Sequence, residues 1–208
     1  MSYITINHIE NIVERILAEA DIDDPPIKVD SIAEFICGLE FGWSNLDKYS
    51  KNCEVLAAIV IQDEKIYMNE SKEYELKNNP GRRNFTIAHE LGHWFLHKDL
   101  AQENLFGMKG KVLICRGINN KIDNKERQAN IFASHLLMPK KFLRTQLNNF
   151  TTPLNEYDLI ELAKIFQVSK QAMKIRLVDE LRLLHNAQGL YYKSEIEALE
   201  VGGQQRLF

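Results

Sequence analysis

Apolar residues recur at helical spacing from the start of the chain. Ile6, Ile9, Ile12, Val13, Ile16 and Leu17 fall on one stripe, which predicts an amphipathic helix that stops before the Asp21 to Pro26 cluster. Ser31 with Glu34 three residues on has the form of a capping box, and Ile32, Phe35 and Ile36 supply the apolar face of a second, short helix up to Gly38. The period then changes. Val55 to Ile61, the polar pair Asp63 and Glu64, and Lys65 to Asn69 read as two β-strands joined in a hairpin.

Asn79-Pro80-Gly81 breaks the chain, and Asn84 can cap a helix that carries Phe85, Ile87, Ala88, Leu91, Gly92, Phe95 and Leu96. The short apolar piece Val112 to Cys115 follows, and then a helix from about Asn124 to Met138, ended by Pro139. From Pro153 to Leu184 two further helical patterns are separated by Gln167-Val168-Ser169. The last twenty residues, with Gly202-Gly203-Gln204-Gln205, look like a poorly tied tail. These elements give an α+β class with three parts: a main domain over residues 1–150, a helical module over 151–186 and a tail over 187–208.

Composition narrows the class further. Hydrophobic residues at 45% and charged residues at 26% are ordinary globular values. A formal charge of −3 provides no bulk attraction to nucleic acid. Glu10, Glu14, Arg15 and Glu19 interrupt the first helix, which is therefore no signal peptide, and no apolar run approaches the roughly 20 residues that span a bilayer. Three widely spaced cysteines, Cys37, Cys53 and Cys115, do not make a disulfide framework; together these features point to a cytoplasmic protein.

The chemistry concentrates in His89-Glu90-Leu91-Gly92-His93. Four residues on a helix advance about 6 Å, so both imidazoles can reach one tetrahedral metal, and Glu90 sits beside it. On the order of one chain in a hundred of this composition would carry the pattern by chance. Zinc in a hydrolase takes three protein ligands and keeps one position open. His97 continues the spacing but lies about 12 Å along the axis from His89, too far to share the ion. It is expected to pack or to support a ligand from behind. Glu126 is a better candidate, because Ala129, Asn130 and Ala133 keep the facing surface of its helix small, although a lone helix glutamate is ordinarily a solvated charge.

Arg83 to His93, followed by Glu126 to Ala133 and by Leu136-Leu137-Met138-Pro139, resembles the ImmA/IrrE family of metallopeptidases over roughly residues 25 to 145. The resemblance implies a zincin-like core, with a small β-sheet packed on helices; the helix-turn-helix-like module of residues 151–186 follows it. It implies His89, His93 and Glu126 as zinc ligands and Glu90 as the catalytic acid and base of an endopeptidase. It also implies the substrate, a helix-turn-helix repressor whose cleavage relieves repression of a mobile-element, stress or defence operon. Gln128 and His135 stand where acidic residues are frequent in this pattern; neither is an implied ligand.

Several residues carry open alternatives. Asn130, one turn after Glu126, either hydrogen-bonds the ligand carboxylate or is a plain surface amide. Cys115 either reaches the open zinc position and blocks it, a latch that activation would release, or is a small buried cysteine. The strand Lys65 to Asn69 either offers its edge to an extended peptide or is only structural. The segment Leu162 to Met173 resembles a helix-turn-helix, yet Glu156 to Arg182 holds five basic and five acidic residues. DNA contact through residues 156–184, with Lys164, Lys170 and Lys174 as the test positions, therefore competes with a lid or a partner-docking module. A non-proteolytic regulator that binds DNA or the repressor through this module is the rival reading.

Overall fold

The computed structural model describes residues 4–49, 53–98, 116–117, 124–150, 153–180, 184–185 and 191–192. The chain forms two compact units, Met1–Asp23 with Ile27–Leu137, and Asp24–Pro26 with Met138–Phe208. The first unit opens with α1 (Ile6–Glu19), capped by the Thr5 hydroxyl, which accepts from the His8 N–H at 3.2 Å. Its apolar stripe is buried at Ile9, Ile12, Val13, Ile16 and Leu17, as the spacing predicts. The second helix differs from expectation. It begins earlier, as α2 (Val29–Ser31), and widens into a π-type turn over Ile32–Ile36 that ends at Gly38, whose φ of +68° suits glycine. Ser31 lies inside this element and caps nothing, and Phe35 is 81% exposed, because only Ile32 and Ala33 turn inward.

The sheet has three strands in the order β1 (Glu40–Ser44), β4 (Lys65–Asn69), β3 (Ala57–Val60). β3 and β4 form the expected antiparallel hairpin with Ile59 opposite Ile66, and a 3-10 turn at Ile61–Asp63 leads to Glu64 at φ +49°. β1 joins β4 in parallel, with Phe41 opposite Ile66. β4 is thus the central strand, paired on both sides, and cannot lend an edge to a peptide as considered from the sequence. All four residues of β3 are buried, as suits a strand covered on its faces. A buried carboxamide pins the end of β4: Asn69 Oδ1 accepts from the N–H groups of Leu46 and Ser71, while Nδ2 donates to Asp47 and to the Val55 carbonyl, both at 2.7 Å. A separate two-stranded ladder pairs β2 (Cys53–Glu54) with β5 (Arg116–Gly117).

After α3 (Glu73–Asn78) comes the long helix α4 (Pro80–His97), which packs against β3 and, most extensively, against α5 (Asn124–Leu137). The start of α4 corrects the sequence reading. Asn79 is the cap, accepting from the Arg82 N–H at 3.0 Å, with Pro80 in the first turn, and Asn84 is buried within the helix. Proline at the first helical position sacrifices no hydrogen bond, so the break at Asn79, between α3 and α4, is also where α4 starts, ahead of the expected cap at Asn84. Arg83, one turn in, pairs with Asp30 through both of its terminal nitrogens. α5 also packs on α1, where Glu10 lies 3.5 Å from His135 Nδ1.

The second unit contains α6 (Lys140–Leu147), α7 (Glu156–Ile165) and α8 (Lys170–Ile175), and a short ladder of β6 (Leu184–His185) with β7 (Tyr191–Tyr192). Asn155 and Asp158 form a reciprocal capping box at the start of α7. Gln167 turns the chain at φ +50°, and Ser169 caps α8 by accepting from the Ala172 N–H at 3.1 Å. Its interior is apolar: Leu143, Leu154, Leu159, Leu162, Phe166 and Met173 are buried. One charged side chain joins them, Arg176, whose Nε donates to the Met138 carbonyl at 3.0 Å. No helix among the described residues is long and apolar enough to cross a membrane.

Candidate metal centre

The contact between α4 and α5 is unusually close because of what its sequence omits. A Cβ on Gly92 would stand 2.9 Å from the Ala129 Cα and 3.1 Å from its carbonyl oxygen, so any larger residue would press on backbone. Glycine on one helix and alanine on the other bring the two axes together. Phe95 stacks on Phe132 at 5.6 Å further along the same contact. This approach brings Glu126, in the first turn of α5, to the histidines of α4.

Four ionisable side chains of α4 are almost wholly withdrawn from solvent: His89 and Glu90 are 2% exposed, His93 and His97 4%. Burial at that level is costly unless each polar atom meets a partner or a ligand. The Nε2 atoms of His89 and His93 are 3.1 Å apart. Glu126 closes the triangle with Oε2 3.3 Å from His89 Nε2 and Oε1 3.5 Å from His93 Nε2. Tetrahedral zinc, with bonds of about 2.0–2.1 Å, holds its donor atoms about 3.3–3.4 Å apart. Each contact is near that edge length, with one carboxylate oxygen of Glu126 facing each histidine, and taking one donor atom per residue the three lie within 4.8 Å of one another. Among the described residues these three form the group of acidic, histidine and cysteine side chains able to hold a metal ion.

One donor, His93, is also held in the charge state a metal needs. Burial, and after it the neighbouring His89, His97 and Lys125, push the His93 imidazole down from 6.5 to about 2, so that it is neutral at physiological pH. A neutral ring is the form a metal requires. His89 Nδ1 lies 2.9 Å from Asn130 Oδ1. A carbonyl oxygen only accepts, so the hydrogen of His89 sits on Nδ1 and its Nε2 lone pair faces the triangle. Asn130 therefore supports a proposed ligand, but the ligand is His89, where the sequence had suggested the carboxylate of Glu126. The reason is reach across the helix contact, which spacing along α5 alone does not reveal.

Glu90 turns to the sheet side. Its Oε2 accepts the backbone N–H of Ile59 at 3.0 Å. Leu56 bonds to β4 through its carbonyl, which accepts from Asn69 N–H at 2.9 Å, so by alternation Ile59 directs its N–H away from β4 and toward α4. The outer edge of β3 thus runs beside Glu90, a placement the sequence did not reveal. His97 stays outside the triangle, with Nδ1 3.1 Å from His93 Nδ1 and Nε2 2.9 Å from Gln128 Oε1. Cys115 lies outside the described residues. Cys37 is described, and its thiol is pushed up to about 12 by burial and by Glu19, which keeps it protonated and unreactive.

A helix bearing two histidines one turn apart, an acid between them and a carboxylate supplied by a second helix defines a site of the metallopeptidase class. The comparisons with known proteins agree. The family model described as IrrE N-terminal-like domain, a peptidase family, matches residues 63–178, and the chain belongs to that family. It is similar to the Metallopeptidase ImmA of Bacillus subtilis (strain 168), 42% identical over 72 residues that make up 35% of this chain and 37% of that protein. It also resembles in fold a solved Mycobacterium tuberculosis transcriptional regulator, with a TM-score of 0.52 at 16% identity, over 88% of this chain and 49% of that one. The chain thus spans no more than about half the length of these relatives.

Proposed function

We propose that the chain is a cytoplasmic zinc endopeptidase, with His89, His93 and Glu126 as the metal ligands and Glu90 as catalytic acid and base. The observation that carries this reading is the convergence of His89, His93 and Glu126, whose histidine nitrogens are 3.1 Å apart and each 3.3 or 3.5 Å from one oxygen of the carboxylate, beside the buried Glu90 on the helix of the two histidines. Zinc held there supplies Lewis acidity toward the scissile carbonyl and makes water a nucleophile at neutral pH. Glu90 takes the proton of the attacking water and delivers it to the leaving amine. The Ile59 N–H holds one oxygen of that carboxylate, which orients the group before substrate arrives.

The substrate we propose is a helix-turn-helix repressor encoded nearby, whose cleavage relieves repression. Support comes from the family and from the likeness to a metallopeptidase named ImmA. The α7 and α8 pair then serves as a docking module for that partner. DNA contact is the weaker use for it, because Lys164 is paired with Glu161 at 2.7 Å, Lys170 with Glu156 at 2.8 Å, and Arg176 is buried. The test measures zinc content and then cleavage of the neighbouring repressor by wild type and Glu90→Gln. The variant is expected to keep zinc and fold and to lose about 10²–10⁴ in turnover. Equal cleavage by the two proteins removes Glu90 from the mechanism, and a zinc-free wild type removes the enzyme.

A further inference from the structure

Behind His93 a second line of polar contacts leads away from the triangle. His93 Nδ1 and His97 Nδ1 are 3.1 Å apart, and His97 Nε2 is 2.9 Å from Gln128 Oε1. Both rings are buried. A hydrogen bond between two ring nitrogens holds one hydrogen, so the contact with Gln128 decides which ring owns it. The carboxamide oxygen accepts, which places the hydrogen of a neutral His97 on Nε2 and leaves its Nδ1 bare. His93 must then donate from Nδ1, and its Nε2 presents a lone pair to His89 and Glu126.

We propose that His97 and Gln128 are positioning residues that set the tautomer of His93 and so make it a metal ligand. The inference rests on the metal reading above and deepens it. Gln128 is the determinant, because a carboxamide can be turned end for end. With its NH₂ toward His97, the amide donates to a bare Nε2, the His97 hydrogen moves to Nδ1, and His93 accepts there and carries its own hydrogen on Nε2. Each ring keeps one hydrogen in both arrangements, and only the first leaves the triangle open to a cation. A carboxylate at 128 can only accept and is locked in the competent arrangement. α5 thus contributes Glu126 to the triangle, Asn130 to the back of His89 and Gln128, through His97, to the back of His93.

The experiment uses the full chain, metal-free and ¹⁵N-labelled. Long-range ¹H–¹⁵N correlation reads the tautomer of each histidine, and a competing chromophoric chelator reads zinc affinity. Wild type is expected to show His93 with hydrogen on Nδ1. Gln128→Leu, at a half-buried position, is expected to give a mixture at His93 and about tenfold weaker zinc binding. Gln128→Glu is expected to keep the Nδ1 form and to bind zinc at least as tightly as wild type. Hydrogen on His93 Nε2 in wild type, or a Gln128→Leu protein with wild-type spectrum and wild-type affinity, overturns the relay. A wild type with the Nδ1 form that takes up no zinc instead overturns the metal reading and leaves the relay standing.

Discussion

Two helix pairs, one in each unit, solve the packing problem in opposite ways. α4 and α5 bury three histidines in their contact and line it with half-buried Glu126, Gln128 and Asn130, which meet the ring nitrogens. α7 and α8 bury Leu159, Leu162 and Met173 and keep their ion pairs, Lys164 with Glu161 and Lys170 with Glu156, in solvent. The first arrangement is expensive, since each buried polar atom must be matched, and such expense is kept where chemistry needs it. The second is the ordinary economy of a small helical module, in which capping and apolar burial suffice.

The contrast can be broken most sharply at Glu126. Glu126→Ala removes one corner of the triangle and should weaken zinc binding by more than about 100-fold, beyond the usual effect of losing a supporting residue. Glu161→Ala, the matching change on α7, should leave zinc affinity at the wild-type value. If both variants bind zinc alike, the triangle is not the site. Gly92→Ala comes next. The added methyl meets the Ala129 backbone, so the change should cost about 1–3 kcal/mol in thermal or chemical denaturation and weaken zinc binding by moving Glu126. Wild-type stability together with wild-type zinc affinity would mean that the helices need no such approach.

The third effect is read against pH. The folded His93 imidazole stays neutral down to about 2, whereas in the unfolded chain it titrates near 6.5. The unfolded state therefore binds the extra proton as pH falls below 6.5, and the metal-free fold loses stability with a slope approaching about 1.4 kcal/mol per pH unit toward pH 5. Above 6.5 this contribution is flat. His93→Gln should flatten the slope in that window; an unchanged slope in denaturant titrations would place the acid sensitivity elsewhere. The smallest effect belongs to the other pair. Lys170→Ala breaks a solvent-exposed ion pair and should shift stability by less than about 0.5 kcal/mol, and a larger loss would show that α7 and α8 depend on it.

Much of the scaffold was legible because its signals are local. The stripe of α1, the hairpin of β3 and β4, and the break at Gln167 to Ser169 between α7 and α8 each depend on residues within a few positions. β1 was missed because Glu40 to Ser44 is short, contains Gly42 and finds its parallel partner only across the hairpin. The break at Asn79-Pro80 was legible, but the cap was placed at Asn84 because the same dipeptide that ends α3 also starts α4. The assignment of Phe35 to a buried face failed because the element widens to a π-type turn, which rotates its side chain outward. The strand edge beside Glu90 belongs to β3 because β1 occupies the far side of β4.

At the metal centre the division is sharper. The sequence by itself determined the pair His89 and His93 and the acid between them, because helical rise puts them together whatever surrounds the helix. It also excluded His97 from the ion on the same ground. Only the tertiary structure decided the rest: that Gly92 against Ala129 lets α5 approach, that Glu126 turns one carboxylate oxygen to each of the two histidines, and that Asn130 and Gln128 reach the backs of two different histidines. These partners lie more than thirty residues from the histidines they meet, and a side chain's orientation across a helix contact is set by packing, which no spacing along one helix encodes.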